Sequence, residues 1–248
     1  MFDKAVLIGI KLYKNSGMSS LDGPYQDVMN METYIKSKNS SSRITKMLDI
    51  DKSYIQPTRE NILDYLKNLY NDVKPGEKVL IYYSGHGSNV KTNSKDEYDQ
   101  NYDQAMNVMN NKIVTDNEIN GYVTENIPKK VEVYLIFDCC HSGDIVDLKY
   151  KLQKGIFKPI RKSLPDLDNK IVLMSGCAFT QSTTDAPKGG AFTNRFLDVI
   201  KDNHKVSYLD LYNTLQKDLN YLKVYFGMSQ EPQIFSSLSY KETDSIFY

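Results

Sequence analysis

The chain has 248 residues, of which 40% are apolar and 25% are charged, enough apolar material for one large hydrophobic core. Its 31 basic and 31 acidic residues give a formal net charge of zero, so no net field would draw it to nucleic acid or to an anionic membrane. Three cysteines, two of them adjacent, provide no disulfide framework and favour a reducing, cytoplasmic location with free thiols.

The apolar pattern predicts alternating strands and helices in one domain, since no linker rich in Pro, Gly or Ser divides residues 1–248. Strands are predicted at 4–10, 43–49, 78–83, 131–137 and 170–175, with a last extended segment near 232–235. Helices are predicted at 22–37, 58–73, 191–203 and 207–222, with a short one starting at the capping box Thr115–Glu118. This order predicts an α/β fold with a mostly parallel central sheet flanked by helices on both faces.

Two polar segments do not fit the alternation of strands and helices. Residues 84–112 form an acidic stretch that is too long for an ordinary connection, and such loops are usually functional or disordered. Residues 147–166 carry six basic side chains between two aspartates, and this segment is predicted to be a flexible surface loop.

Two short polar motifs stand at the ends of predicted strands. SGHG (84–87) follows the run KVLIYY, and DCCHSG (138–143) follows VEVYLIF. Reactive groups collect beyond the carboxyl ends of strands in open α/β sheets, and consecutive strands are often neighbours. We therefore expect His86 and Cys140 to meet at one sheet edge as the base and the nucleophile of a cysteine hydrolase.

His86 is the best partner for Cys140, because His141 is adjacent in sequence and His204 lies at a predicted helix end. A lone cysteine is most often a small core residue. Cys140, however, follows the strand and stands among polar residues, which favours a reactive thiol. The backbone amides of Gly87 and Cys140 are predicted to form the oxyanion site.

The motifs YYSGHG and FDCCHSG together resemble the paired signature of metacaspases, the caspase-like cysteine peptidases. The similarity extends to KAVLIGI, LDGPYQD, YDQ with TDNEI, SGCAFTQSTTDA with GGAFT, and QEPQI. It implies a single caspase-like peptidase domain over residues 1–248 without a prodomain, and endopeptidase activity on protein or peptide substrates. The nucleophile position of the family falls on Cys140, and Cys139 fills a position that is often serine in relatives.

The resemblance also implies cleavage after Arg or Lys. Asp27 aligns with the aspartate of the family's substrate pocket. Without the resemblance, its position predicts an exposed acid on the first helix. Asp138 precedes Cys140 by two residues and so lies on the same side of the strand end. These two acids, with Ser84, are predicted to bind the basic substrate side chain. Pro24 replaces a cysteine that many relatives have there.

The acidic segment 96–118 is either a solvated face or a calcium site. Calcium ligands of similar metacaspases align with Asp103, Asp116, Asn117 and Asp147. Asn117 replaces an aspartate, so the predicted site carries one negative charge less. Calcium is expected to order the substrate cleft by joining the loops that follow His86 and Cys140.

Alternatives to this hypothesis remain open. A caspase-like protein can be a catalytically silent scaffold or regulator, and another cysteine hydrolase would have a different specificity. Three consecutive residues, Cys139 to His141, are a poor zinc site, and no phosphate-binding P-loop motif occurs.

An enzyme that cuts after basic residues is also expected to cut its own basic segment at 147–166. A monomer without nucleic-acid or membrane partners is expected.

Overall fold

The computed structural model describes residues 1–14, 17–92, 102–139, 143, 145–176, 189–203, 205–226 and 231–247. The predicted nucleophile Cys140 and the histidines at 141 and 204 lie outside these ranges. Within the described part of the chain, no helix combines the length and the apolar character that a membrane crossing requires.

The centre of the molecule is an eight-stranded sheet. Its strands lie in the spatial order β2 (Arg43–Leu48), β1 (Lys4–Gly9), β3 (Lys78–Ser84), β7 (Glu132–Asp138), β10 (Ile171–Ser175), β11 (Gln233–Ser236), β8 (Tyr150–Gln153) and β9 (Ile156–Pro159). The first five strands are parallel, and each of the last three pairs antiparallel to the strand before it. The predicted α/β fold with a mostly parallel sheet is confirmed.

Helices cover both faces of this sheet, as predicted. One face packs against α1 (Pro24–Lys38), α4 (Ala191–Asp202) and α5 (Tyr208–Phe226), and the other against α2 (Arg59–Lys67) and α3 (Asp116–Thr124). Successive side chains of a strand point to opposite faces, so each inner strand must be apolar on both sides. In β1, Ala5 and Leu7 belong to the first core, whereas Val6 and Ile8 belong to the second.

Side-chain caps define where α2 and α3 begin. The hydroxyl of Thr58 accepts the Asn61 N–H, and Thr115 and Glu118 form the predicted capping box. The predicted extension of α2 to residue 73 is wrong, because the helix ends at Lys67. The Asn68 side chain donates to the carbonyl of Asp64 there, an alternative to continued helical bonding.

Both polar segments that were expected to lack regular structure contain strands. A three-stranded antiparallel sheet is formed by β4 (Gly87–Lys91), β5 (Tyr102–Val108) and β6 (Lys112–Thr115). The prediction of a flexible loop at 147–166 is wrong, because β8 and β9 form a hairpin that pairs with the main sheet. Lys154 and Gly155 make its two-residue turn with φ of +52° and +79°.

Candidate active site

The two polar motifs meet at the carboxyl ends of adjacent strands. β3 pairs with β7 in parallel, and the last pair in register is Ser84 with Asp138. The Gly85 N–H continues this pairing by donating to the Asp138 carbonyl at 3.3 Å. The prediction that the two strands are neighbours is confirmed. His86 follows Ser84 by two residues, just as Cys140 follows Asp138 by two residues in the sequence.

The imidazole of His86 is held in one tautomer. Its Nε2 lies 2.9 Å from the carbonyl oxygen of Ser19. A carbonyl can only accept a hydrogen bond, so Nε2 carries the proton and Nδ1 is the basic nitrogen of the neutral ring. The half-buried ring also packs against Tyr13, with ring centroids 4.5 Å apart.

Cys139 has the environment of a structural cysteine. It is completely buried in the same core cluster as Phe137, on the face of the sheet that α2 and α3 cover. A buried thiol in apolar surroundings is a poor nucleophile. The neighbouring Asp138 faces the other side of the sheet, where its carboxylate contacts α4. Gly87, predicted to contribute to the oxyanion site, begins β4 directly after His86.

The three residues predicted to bind a basic substrate side chain are buried at this sheet edge. Asp27, Asp138 and Ser84 are 1%, 4% and 3% exposed, so Asp27 is not the surface acid that its helical position alone suggests. The Ser84 hydroxyl donates to Oδ2 of Asp27 at 2.7 Å, and the Gly190 N–H donates to Oδ1 at 2.7 Å. Asp138 Oδ2 accepts both the N–H and the hydroxyl of Thr193, at 3.0 and 2.7 Å.

Gly190, just before α4, brings the two carboxylates together. A Cβ at this position would clash with the Asp138 carboxylate and would lie 3.2 Å from Oδ2 of Asp27. Burial, together with the charges of Asp27 and Asp138, holds the pKa of Tyr82 well above its usual value. Two buried carboxylates therefore lie together beside the ends of β3 and β7.

The predicted calcium ligands are not assembled in the described structure. Asp116 is fully buried, with Oδ2 accepting the Gln104 N–H and Oδ1 accepting the Asn117 N–H. Asp147 forms an ion pair with Arg161 at 2.7 Å. Oδ1 of Asp103 is buried and has no hydrogen-bond partner among the described residues.

Among the described residues, no three His, Cys, Asp or Glu side chains form a group that could hold a metal ion. The acids at 96, 97 and 99 lie outside those residues. Calcium binding by Asp103, Asp116, Asn117 and Asp147 therefore stays a prediction.

Four residues that shape the site were not predicted from the sequence. Tyr13 and Ser19 come from an irregular segment without any motif, and they reach His86 only through the fold. Gly190 and Thr193, in contrast, lie within GGAFT, one of the segments that resemble metacaspases. The helix start at Ala191 was the available signal, because a helix N-terminus offers free N–H groups to a carboxylate.

This architecture places the chain among the caspase-like α/β proteins. The structure of caspase-1 from Spodoptera frugiperda matches with a TM-score of 0.63 and 11% identity, over 100% of this chain and 92% of that one. The structure of protein GSU0716 from Geobacter sulfurreducens matches with a TM-score of 0.66 and 21% identity, over 97% and 98% of the two chains. These likenesses establish the fold.

The family follows from the sequence. The profile described as "Metacaspase, peptidase C14 domain" matches residues 3–149, more than half of the chain, so the chain belongs to the metacaspase family. Metacaspase-2 of Trypanosoma brucei brucei is 29% identical over 231 residues, covering 83% of this chain and 65% of that protein. Metacaspase-1 of Candida albicans is 26% identical over 297 residues, covering 94% and 64%.

One similar protein is named an inactive member of the family. "Inactive metacaspase-4" of Trypanosoma brucei brucei is 29% identical over 237 residues, covering 84% of this chain and 65% of that protein. The chain thus spans just under two thirds of the length of these curated relatives. Membership of the family therefore leaves the activity to be tested.

Proposed function

We propose that this chain is a cysteine endopeptidase that cleaves after Arg or Lys with Cys140 as nucleophile and His86 as base. The observation that carries the proposal is the His86 imidazole, fixed with Nδ1 as the basic nitrogen at the carboxyl end of β3. The adjacent strand β7 leads to Cys140. Membership of a peptidase family supports the same chemistry.

The proposed reaction begins with transfer of the Cys140 thiol proton to Nδ1 of His86. The resulting thiolate attacks the carbonyl carbon of the scissile peptide bond, and the oxyanion accepts hydrogen bonds from the amides of Gly87 and Cys140. The imidazolium, stabilised by the carbonyl oxygen of Ser19, returns the proton to the leaving amine. Water then hydrolyses the thioester with His86 again acting as base.

The specificity proposal rests on Asp27 and Asp138. Both carboxylates accept hydrogen bonds from neutral donors, and a buried negative charge favours a cationic partner over an acidic one. The bound side chain of the substrate would supply that cation. The orientation of both carboxylates by Ser84, Gly190 and Thr193 supports a preorganised pocket.

A panel of fluorogenic peptides that differ only in Arg, Lys or Asp before the cleaved bond tests this proposal. Hydrolysis of the Arg and Lys peptides, with no hydrolysis of the Asp peptide, is the expected result. Cleavage of the Asp peptide would contradict the pocket assignment. Complete inactivity on every peptide, with and without millimolar calcium, would favour the alternative of a catalytically silent scaffold. One similar protein is named an inactive metacaspase.

Calcium activation is a separate proposal. It rests on the resemblance and on the buried, unpartnered Oδ1 of Asp103, whereas Asp116 and Asp147 are engaged by protein groups in the described structure. Peptide hydrolysis measured with millimolar calcium and with EGTA tests it. We expect higher activity with calcium, and equal rates in both solutions would exclude calcium activation.

We also propose that the protein cleaves itself within the basic segment 147–166. Lys154, Lys158 and Lys162 are exposed, whereas Arg161 is buried and paired. Because a peptidase binds an extended chain, the β8–β9 hairpin would have to open before Lys154 or Lys158 is cut. Lys162 follows β9 and is the preferred site. Gel electrophoresis should show fragments of the native protein and an intact Cys140→Ala protein, and an intact band for both would exclude self-cleavage.

A further inference from the structure

Two tyrosine hydroxyls hold the backbone of His86 from both sides. The His86 N–H donates to the hydroxyl oxygen of Tyr13 at 2.6 Å, and the Tyr83 hydroxyl donates to the His86 carbonyl at 2.7 Å. The Tyr83 hydroxyl also lies 2.8 Å from the carbonyl of Asn107. Tyr13 and Tyr83 are 5% and 0% exposed, so little water competes for these bonds.

The two hydroxyls also contact each other. Their oxygens are 3.4 Å apart, and the Tyr83 proton points to the carbonyl groups of His86 and Asn107. Gly85 leaves room for this pair, since a Cβ there would lie 2.5 Å from the Tyr13 hydroxyl and 2.6 Å from the Tyr83 hydroxyl. Burial raises the pKa of both tyrosines, so the hydroxyls stay protonated at neutral pH.

The segment that carries Tyr13 is itself anchored at a strand end. Oδ1 of Asp49, just after β2, accepts the Lys11 N–H at 2.9 Å, and its Oδ2 accepts the Leu12 N–H at 2.6 Å. The Leu21 N–H donates to the Lys11 carbonyl at 2.9 Å, so the residues on either side of Tyr13 and Ser19 lie next to each other. One segment therefore supplies both Tyr13, against the His86 backbone and ring, and Ser19, on Nε2.

We propose that Tyr13 is a positioning residue that sets the place of the His86 imidazole through the backbone N–H and through ring contact. The inference rests on the proposed function, because it assigns His86 as the base. A general base must lie within hydrogen-bond reach of its proton donor, and a displacement of about 1 Å can lower the rate by about a hundredfold. In this role Tyr13 takes no part in the proton transfer itself and acts through His86.

The test is Tyr13→Phe, which removes the hydroxyl and keeps the ring. The matched control is Tyr70→Phe, because the Tyr70 hydroxyl also forms a hydrogen bond with the backbone, donating to the Val123 carbonyl on α3. Rates on an Arg peptide are expressed per active site, titrated with an irreversible Arg-directed inhibitor. We expect kcat to fall about tenfold in Tyr13→Phe with KM within about twofold of native, as for one lost hydrogen bond.

Tyr70→Phe should keep both constants near the native values. A native kcat in Tyr13→Phe, or a rise in KM with kcat unchanged, would overturn the inference. The variant His86→Ala separates the two proposals. A native rate in His86→Ala would contradict the proposed function. An inactive His86→Ala together with a fully active Tyr13→Phe would contradict only the role of Tyr13. If Tyr13→Phe does not fold by circular dichroism, Tyr83→Phe takes its place with the same expected loss.

A second readout is independent of activity. The sequence contains three histidines, so their imidazole signals can be resolved by NMR. Tyr13→Phe should shift the ring signals of His86, and Tyr70→Phe should leave them in place. Unchanged His86 signals in Tyr13→Phe would contradict the inference even in a protein that cleaves no peptide.

Discussion

Folding removes the carboxylates of Asp27 and Asp138 from water, with 1% and 4% of these residues exposed. Transfer of a carboxylate to the interior costs several kcal/mol unless hydrogen bonds or a counter-charge compensate. Charge-assisted hydrogen bonds from Ser84, Gly190 and Thr193 supply part of that compensation. In the proposed function, an incoming Arg or Lys side chain would supply the opposite charge.

Asp27→Asn is therefore expected to raise KM for an Arg peptide about thirtyfold, the equivalent of about 2 kcal/mol for a lost buried charge pair, with a much smaller change in kcat. Steady-state kinetics on the Arg peptide measure both constants. Asp64→Asn, at an exposed position of α2, is the control and should behave as the native protein. A native KM in Asp27→Asn would show that this carboxylate does not bind substrate.

At the scale of elements, an ion pair joins the β8–β9 hairpin to Asp147, which precedes it in the chain. Arg161, just beyond β9, contacts Asp147 in an ion pair whose side chains are only 5% and 9% exposed. Asp147 itself has a φ of +48°, a conformation uncommon outside glycine. This ion pair fixes a segment that the sequence analysis treated as a flexible loop and occupies a carboxylate that it assigned to calcium.

Arg161→Gln should lower the free energy of unfolding by about 3 kcal/mol, since removal of one partner leaves a buried charge uncompensated. Urea denaturation followed by circular dichroism measures the loss. Arg195→Gln is the matched control, because Arg195 pairs with Asp198 on the surface at 48% and 60% exposure, where such pairs contribute about 0–1 kcal/mol. Equal losses in the two variants would show that the Asp147–Arg161 pair has no special structural role.

The elements also show what the sequence could and could not predict. Long apolar runs such as those of β3 and β7 were recognisable because both faces of an inner strand are buried. Strand β4 was not, since all of its residues are half-buried or exposed and Val90 is its one large apolar residue. The hairpin turn at Lys154 lacks the usual Asn-Gly signal, and its strands have only four residues each.

At the scale of the whole molecule, the parallel sheet determines how the site assembles. Neighbouring parallel strands bring motifs that are 54 residues apart to one edge, a juxtaposition that could be predicted from strand order. The contacts of His86 with Tyr13 and Ser19, 73 and 67 residues away, could not. They depend on how an irregular segment crosses the end of the sheet, which no periodicity in the sequence encodes.

The central claim is that Cys140 attacks and His86 removes its proton. The most direct measurement is the rate of Arg-peptide hydrolysis by the native protein and by Cys140→Ala, His86→Ala and Cys139→Ala. We predict that the first two variants lose roughly a thousandfold or more, while Cys139→Ala, which changes only a buried core residue, keeps a rate near native. A Cys140→Ala protein that hydrolyses the peptide at the native rate would contradict the account.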